Sequence, residues 1–95
     1  MIAVRIENPR FPMGDVMVTE LARSQLSQAD IDAALKRHAQ GDWGELEAED
    51  CEVNELALIE GTRLLSAYRS QNGIRFWVLT EASRETTTVL LPSEY

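Results

Sequence analysis

Two runs rich in β-forming residues, Arg63–Arg69 and Ile74–Thr80, flank the tetrapeptide Ser70-Gln71-Asn72-Gly73. This pattern constrains the fold more than any other part of the chain. Asn-Gly is the preferred central pair of a type I′ turn, whose twist matches that of the strands it joins. The segment is therefore predicted to be a β-hairpin. With Asn72-Gly73 as a two-residue loop, Tyr68 lies opposite Trp77 and Ser66 opposite Leu79 on one face. Ala67 then faces Val78, and Leu65 faces Thr80, on the other. A third strand is expected over about residues 86–91, after the turn from Glu81 to Glu85 and before Pro92. Its three consecutive threonines, Thr86, Thr87 and Thr88, favour extended backbone.

Upstream of the hairpin the signals are helical. Ser27 followed by Asp30 marks a helix start, and the spacing predicts a helix from about Gln28 to Gln40 with Gly41 supplying its left-handed end. At 100° per residue from Gln28, Ala34 falls at about 240°, His38 at about 280°, Ile31 at about 300° and Leu35 at about 340°. His38 is thus inside the apolar stripe, whereas Lys36 and Arg37 point elsewhere. A second helix is expected from about Glu49 to Glu60, ending at Gly61. Asn54 shares its apolar arc with Cys51, Val53, Ala57 and Leu58, so its amide needs buried partners.

Thr19 is the expected N-cap of a short helix through about Leu26, with Glu20 suited to the helix dipole. Gly14 to Val18 reads as a strand with Val16 and Val18 on one face. Residues 2–6 alternate as a further short strand, broken by Asn8-Pro9 and Phe11-Pro12. The order implies an α+β fold: N-terminal strand(s), two or three helices, then a three-stranded antiparallel meander with helices packed on one sheet face. The other face is expected to carry Tyr68 and Trp77.

The chain of 95 residues is read as a single domain, 1–95, and its 44% hydrophobic and 26% charged residues are those of a globular protein. One cysteine, Cys51, excludes an internal disulfide and a thiolate metal cluster. The sequence shows no glycine-rich phosphate loop, paired histidines or thiolate pair, so no metal and no cofactor are expected. It shows no signal-peptide run and no membrane-spanning segment, which makes a cytoplasmic location the expectation.

The net charge of −7 is concentrated in one place. Between Asp42 and Glu60 lie eight acids and no Lys or Arg, while the rest of the chain holds eight acids against nine bases. That field disfavours direct nucleic-acid binding. It suits either a solvated helix face or a surface that docks on a protein with a basic surface. For the second reading the partner-binding residues are Asp42, Glu45, Glu49, Glu52 and Glu55. An exposed N-terminal strand leaves a homodimer open.

The stretch Arg37-His38-Ala39-Gln40-Gly41-Asp42-Trp43-Gly44 has two readings. As a structural joint, Gly41 ends a helix, Asp42 caps the turn and Trp43 plugs the core. His38 is then a core histidine, bonded to a backbone carbonyl or to Asn54. The structural set is His38, Trp43, Asn54, Tyr68 and Trp77. As an active-site corner, it belongs to a metal-independent ribonuclease or toxin, which needs an acid/base group and a cation for the phosphorane charge. His38, Arg63, Glu81 and Arg84 are the candidate catalytic residues of that reading, with Ser66 and Tyr68 of suitable type nearby. The element order resembles RelE- and barnase-like nucleases in topology alone, although those folds usually carry basic surfaces.

A larger set of residues carries a second resemblance. It comprises Arg37-His38-x-x-Gly41-Asp42-Trp43-Gly44, Ser66-x-Tyr68, Trp77-Val78-x-Thr80-Glu81-x-x-Arg84 and Thr87-Thr88-x-Leu90-Leu91-Pro92-x-x-Tyr95. Over roughly residues 14–95 the chain resembles a family of small uncharacterised bacterial proteins of plasmids, integrative elements and phages. Members are often labelled automatically as plasmid-related or restriction-subunit proteins, but this chain has no methyltransferase cofactor loop. Ser83 stands where the family pattern leads one to expect an aspartate before Arg84. The resemblance implies a mobile-element setting. Combined with the acidic segment, it points to a non-catalytic interaction module, an inhibitor or modulator of a host defence or nucleic-acid enzyme.

Overall fold

A computed structural model describes residue 6 and residues 8–95. Most of the expected N-terminal strand over residues 2–6 lies outside the described residues. The elements are strand β1 (Asp15–Val18), helices α1 (Glu20–Gln25), α2 (Gln28–Ala39) and α3 (Ala48–Glu60), strands β2 (Leu64–Arg69), β3 (Arg75–Thr80) and β4 (Thr86–Leu90), and a 3-10 turn over Pro92–Glu94. The fold is α+β, with α1, α2 and α3 touching β4, β3 and β2 respectively.

Local chemistry sets these boundaries. The Thr19 hydroxyl accepts the Ala22 N–H and the Ser27 hydroxyl accepts the Asp30 N–H, which caps α1 and α2. The end of α3 is held differently. The Arg84 guanidinium donates to the carbonyls of Ala57 at 3.1 Å and Thr62 at 2.6 Å. The Ala57 carbonyl already accepts the Gly61 N–H, so the cation adds a second donor there and complements the negative end of the helix dipole.

The sheet has four strands in the order β1-β4-β3-β2. The expected meander forms its antiparallel part, and β1 joins it beside β4 as a parallel neighbour. The hairpin register differs from the expectation by one residue: Tyr68 pairs with Phe76, Ser66 with Val78 and Ala67 with Trp77. The cause lies in the turn. Asn72 does not take the positive φ that a type I′ turn demands; Gly73 alone does, at φ +86. The Gly73 N–H donates to the Ser70 carbonyl and the Ser70 N–H to the Ile74 carbonyl, which closes a three-residue loop of the type I plus bulge kind. The Ser70 hydroxyl steadies this loop by donating to Asn72 Oδ1 and accepting the Ile74 N–H.

One residue of slip reassigns the faces of one strand relative to the other. Leu64, Ser66, Tyr68, Phe76, Val78 and Thr80 turn together towards the helices and are all buried. Trp77 is on the opposite face, with Ala67 and Leu90 beside it. Tyr68 and Trp77 therefore do not share a face, contrary to the expectation. The core between sheet and helices is built from Ile31, Leu35, Phe76, Val78 and Val89, joined by Phe11 and Trp43 from the loops. Each such side chain contributes roughly 1.5–3 kcal/mol by leaving water.

The outer edge of β2 is closed by two devices. Residues 43–45 run parallel to it, with Ala67 N–H donating to the Trp43 carbonyl and Glu45 N–H to the Ala67 carbonyl. Two residues earlier, the Asn54 amide accepts the Leu65 N–H at 3.1 Å and donates to the Leu65 carbonyl at 2.7 Å. An asparagine on α3 thus imitates a strand neighbour, and the edge offers no pairing template there.

Candidate functional site

The joint between α2 and α3 is densely bonded. Arg37 forms a two-point ion pair with Asp42, and its guanidinium lies 4.8 Å from the centre of the Tyr68 ring. Asp42 also accepts the Gly44 N–H through its side chain and the Tyr68 hydroxyl, at 2.6 Å, through its carbonyl. Gly44 sits at φ +76, and a Cβ there would come within 1.9 Å of the Ala67 carbonyl oxygen. Only glycine allows the chain to run this close to β2. Trp43 is buried against Phe11 and His38, and its indole N–H donates to Glu55 at 2.9 Å. Glu55 is held in turn by both guanidinium nitrogens of Arg10.

His38 is wholly buried, and its partners are neither a backbone carbonyl nor Asn54. Nδ1 lies 2.6 Å from the Ser66 hydroxyl and Nε2 lies 2.9 Å from the Thr80 hydroxyl. Thr80 reaches Thr87 at 2.7 Å, and Thr87 reaches the Met13 carbonyl at 2.6 Å. The direction of every bond follows from the last one. A carbonyl only accepts, so Thr87 donates to Met13, Thr80 donates to Thr87, and His38 Nε2–H donates to Thr80. The bare Nδ1 then accepts from Ser66. Burial, with a smaller contribution from the nearby Arg84 cation, pushes the imidazole pKa down to about 3. The ring is a neutral bolt linking α2, three strands and the entrance to β1.

The candidate catalytic residues do not converge. His38 is sealed in the core. Arg63 directly precedes β2, with its guanidinium 5.4 Å from the centre of the Tyr95 ring. Arg84, at φ +63, spends its guanidinium on the carbonyls of Ala57, Thr62 and Glu81, while the Glu81 side chain is exposed. Ser83 accepts the Glu85 N–H, a task its hydroxyl performs where an aspartate was expected. Ser66 is occupied by His38, and burial pushes the Tyr68 phenol pKa up. Among the described residues, no three His, Cys, Asp or Glu side chains gather as a metal site, and no helix is long and apolar enough to cross a membrane.

The acidic segment divides into two groups that its sequence does not distinguish. Asp42, Glu45 and Glu55 face Arg37, Arg69 and Arg10 and are engaged in ion pairs. Glu47, Glu49, Asp50, Glu52 and Glu60 have no ion-pair partner among the described residues. At 100° per residue, Glu49, Glu52 and Glu60 share one side of α3 with Val53, Leu56 and Ile59, which are 61%, 52% and 83% exposed. A groove of about 490 Å³ lies beside Leu56, Leu58 and Ile59 with Arg10, Glu52 and Glu55 along it.

A second concavity, of about 360 Å³, lies on the other flank of α3. Its apolar walls are Leu46, Val53, Leu65, Trp77 and Tyr95, with Asp50 and Arg63 as its charges. Tyr95 is fixed over Trp77 by the 3-10 turn, which Glu94 ties down by accepting the Leu91 N–H and the Thr19 hydroxyl. Reasoning from sequence missed this pocket. Its residues come from α3, β2, β3 and the last residue of the chain, and the misplaced register had put Trp77 beside Tyr68. Comparison with family models, curated proteins and solved structures found no match.

Proposed function

We propose that the protein is a non-catalytic interaction module that docks on a basic surface of another protein. In the mobile-element setting that its motifs suggest, it acts as an inhibitor or modulator of a host defence or nucleic-acid enzyme. One observation carries this reading. The outward face of α3 combines Glu49 and Glu52, which lack an ion-pair partner among the described residues, with the exposed Val53, Leu56 and Ile59. Apolar side chains interleaved with unneutralised charge of one sign suit a partner that brings both apolar contact and the opposite charge.

The docking set is narrower than the acidic segment. Asp42, Glu45 and Glu55 serve the fold, and Glu55 in particular supports Trp43 and Arg10. Glu49, Glu52, Val53, Leu56 and Ile59 are the residues assigned to the partner. In the ribonuclease reading, Arg63, Glu81 and Arg84 lie at one end of the β2–β3 pair, but His38 is sealed in the core away from any phosphate and the Arg84 guanidinium is committed to backbone carbonyls.

The test is charge reversal on the outer face alone. Glu49→Lys with Glu52→Lys is expected to lower the unfolding free energy by no more than about 1–2 kcal/mol, because Glu49 is a favourable charge in the first turn of α3. It should abolish retention of the basic partner recovered with the wild-type protein. Equal retention by wild type and double variant, both folded, would overturn the reading.

A further inference from the structure

We infer that the pocket between α3 and the Trp77 face of the sheet seats an aromatic side chain presented by a basic segment of the partner protein. This rests on the reading of α3 as a docking face and names what the partner must carry.

The size and lining of the pocket set the first requirement. At about 360 Å³ it is at the small end of ligand cavities, room for one large side chain and the backbone that bears it. Most of its polar capacity is already used. The Asn54 amide that lines it is committed on both sides to Leu65. A polar occupant would leave its own groups unpaired against Leu46, Val53 and Leu65, so an apolar one is favoured.

The rings make that occupant aromatic. Trp77 and Tyr95 meet edge to face at 5.3 Å between centroids, and Tyr95 remains 54% exposed. A third ring extends this arrangement in the geometry that aromatic quadrupoles prefer. A cationic anchor is disfavoured, because Arg63 already occupies the cation–π position on Tyr95.

The rim sets the flanking charge. Asp50 lines the pocket, and Glu47 and Glu49 stand just before it at the start of α3; none of the three has an ion-pair partner among the described residues. Basic residues on either side of the aromatic anchor neutralise these acids. Interfaces draw most of their binding energy from a few such buried anchors, ringed by contacts that exclude water.

The experiment is a titration of the full chain, followed by amide and indole NMR shifts, with three capped peptides: Lys-Lys-Phe-Lys-Lys, Lys-Lys-Gly-Lys-Lys and Glu-Glu-Phe-Glu-Glu. The first is expected to move the Trp77 indole and the Val53 and Tyr95 amides, and to bind at least about tenfold tighter than the second, a difference typical of one buried anchor. The second should move only the Glu49 and Glu52 region, and the third should not bind. Tyr95→Ala, at an exposed position outside the core, should erase the tenfold gain, and Tyr95→Phe should keep it. Equal binding of the Phe and Gly peptides with the Trp77 indole unmoved overturns the pocket assignment but leaves the acidic docking face standing. No response at Glu49 and Glu52 to either basic peptide overturns the docking face, and the pocket assignment with it. Binding of the acidic peptide as tightly as the basic one overturns the charge requirement.

Discussion

Lowering the pH from 7 to 5 is expected to remove about 2 kcal/mol of folding stability through His38 alone. In the unfolded chain an imidazole titrates near 6.5, whereas burial holds the folded ring down to about 3. A depressed histidine takes its proton in the unfolded state first. Its contribution to stability is therefore complete above about pH 6.5 and drains away as the pH falls towards the folded value. Over the interval from about 6.5 to 5, at 1.36 kcal/mol per unit, the loss integrates to about 2 kcal/mol. The geometry gives the same sign. A proton on Nδ1 would reverse the 2.6 Å bond to Ser66 and leave the Ser66 hydroxyl hydrogen without its acceptor in the core.

The carboxylates act in a lower window. Asp42, held down by its bond from Arg37, and Glu55, held down by its bond from Arg10, start from ordinary values of 3.8 and 4.5. Their contributions are present above those values and are lost as the pH falls through the lower folded ones, so most of that loss comes below pH 5. Urea unfolding of wild type and His38→Gln at pH 7, 6 and 5 isolates the histidine. The variant keeps a donor and an acceptor but does not titrate. The difference in pH slope between the two proteins should amount to about 2 kcal/mol, and ring ¹⁵N shifts should show a neutral Nε2–H tautomer down to pH 5. Identical slopes, or a ring that titrates near 6.5 in the folded protein, would refute the argument from burial and bond direction.

Other perturbations separate structural residues from docking ones. Gly44→Ala, with its Cβ driven into the Ala67 carbonyl, should cost more than about 2 kcal/mol by thermal unfolding, whereas Gly73→Ala, which meets open space, should cost only the left-handed backbone penalty of about 1–2 kcal/mol. Asn54→Leu leaves the Leu65 N–H and carbonyl unpaired at the sheet edge and should cost about 3 kcal/mol, accompanied by self-association visible in light scattering. Glu55→Gln weakens the links to Arg10 and Trp43 and should lower the unfolding free energy by about 1 kcal/mol, with Glu52→Gln silent in the same assay.

The helices were legible in the sequence because their signals are local. Ser27, Thr19, Gly41 and Gly61 each act within a few residues, and helical phase alone places His38 inward. The hairpin was legible as a hairpin but not in register. Asn72-Gly73 fits two loop types, and the choice falls to the Ser70 hydroxyl, which no pair preference records. The parallel pairing of β1 with β4 joins residues about seventy apart in sequence, and local pattern carries no information at that distance. The division of the acids into paired and unpaired groups was equally hidden. Glu55 and Glu52 are the same residue type one helical turn apart, and only the position of Arg10 tells them apart.

That division bears on why α3 is built as it is. Its apolar seam is narrow: of its thirteen residues Asn54 and Ala57 are buried, and Cys51 and Leu58 pack against the core partly buried. Polar contacts reinforce that seam: the Asn54 amide on β2, Glu55 on Arg10 and Trp43, and Arg84 on its final carbonyls. Each is worth about 1–3 kcal/mol at best and fixes orientation more than it adds stability. Apolar surface that would normally fasten such a helix is turned outward in Val53, Leu56 and Ile59. Among the described residues they form no part of the core. On the docking reading, a partner covering them would supply the burial the fold leaves out, so the helix would gain its firmest support only in the complex. Its amide exchange should then slow more on binding than that of the sheet it rests on.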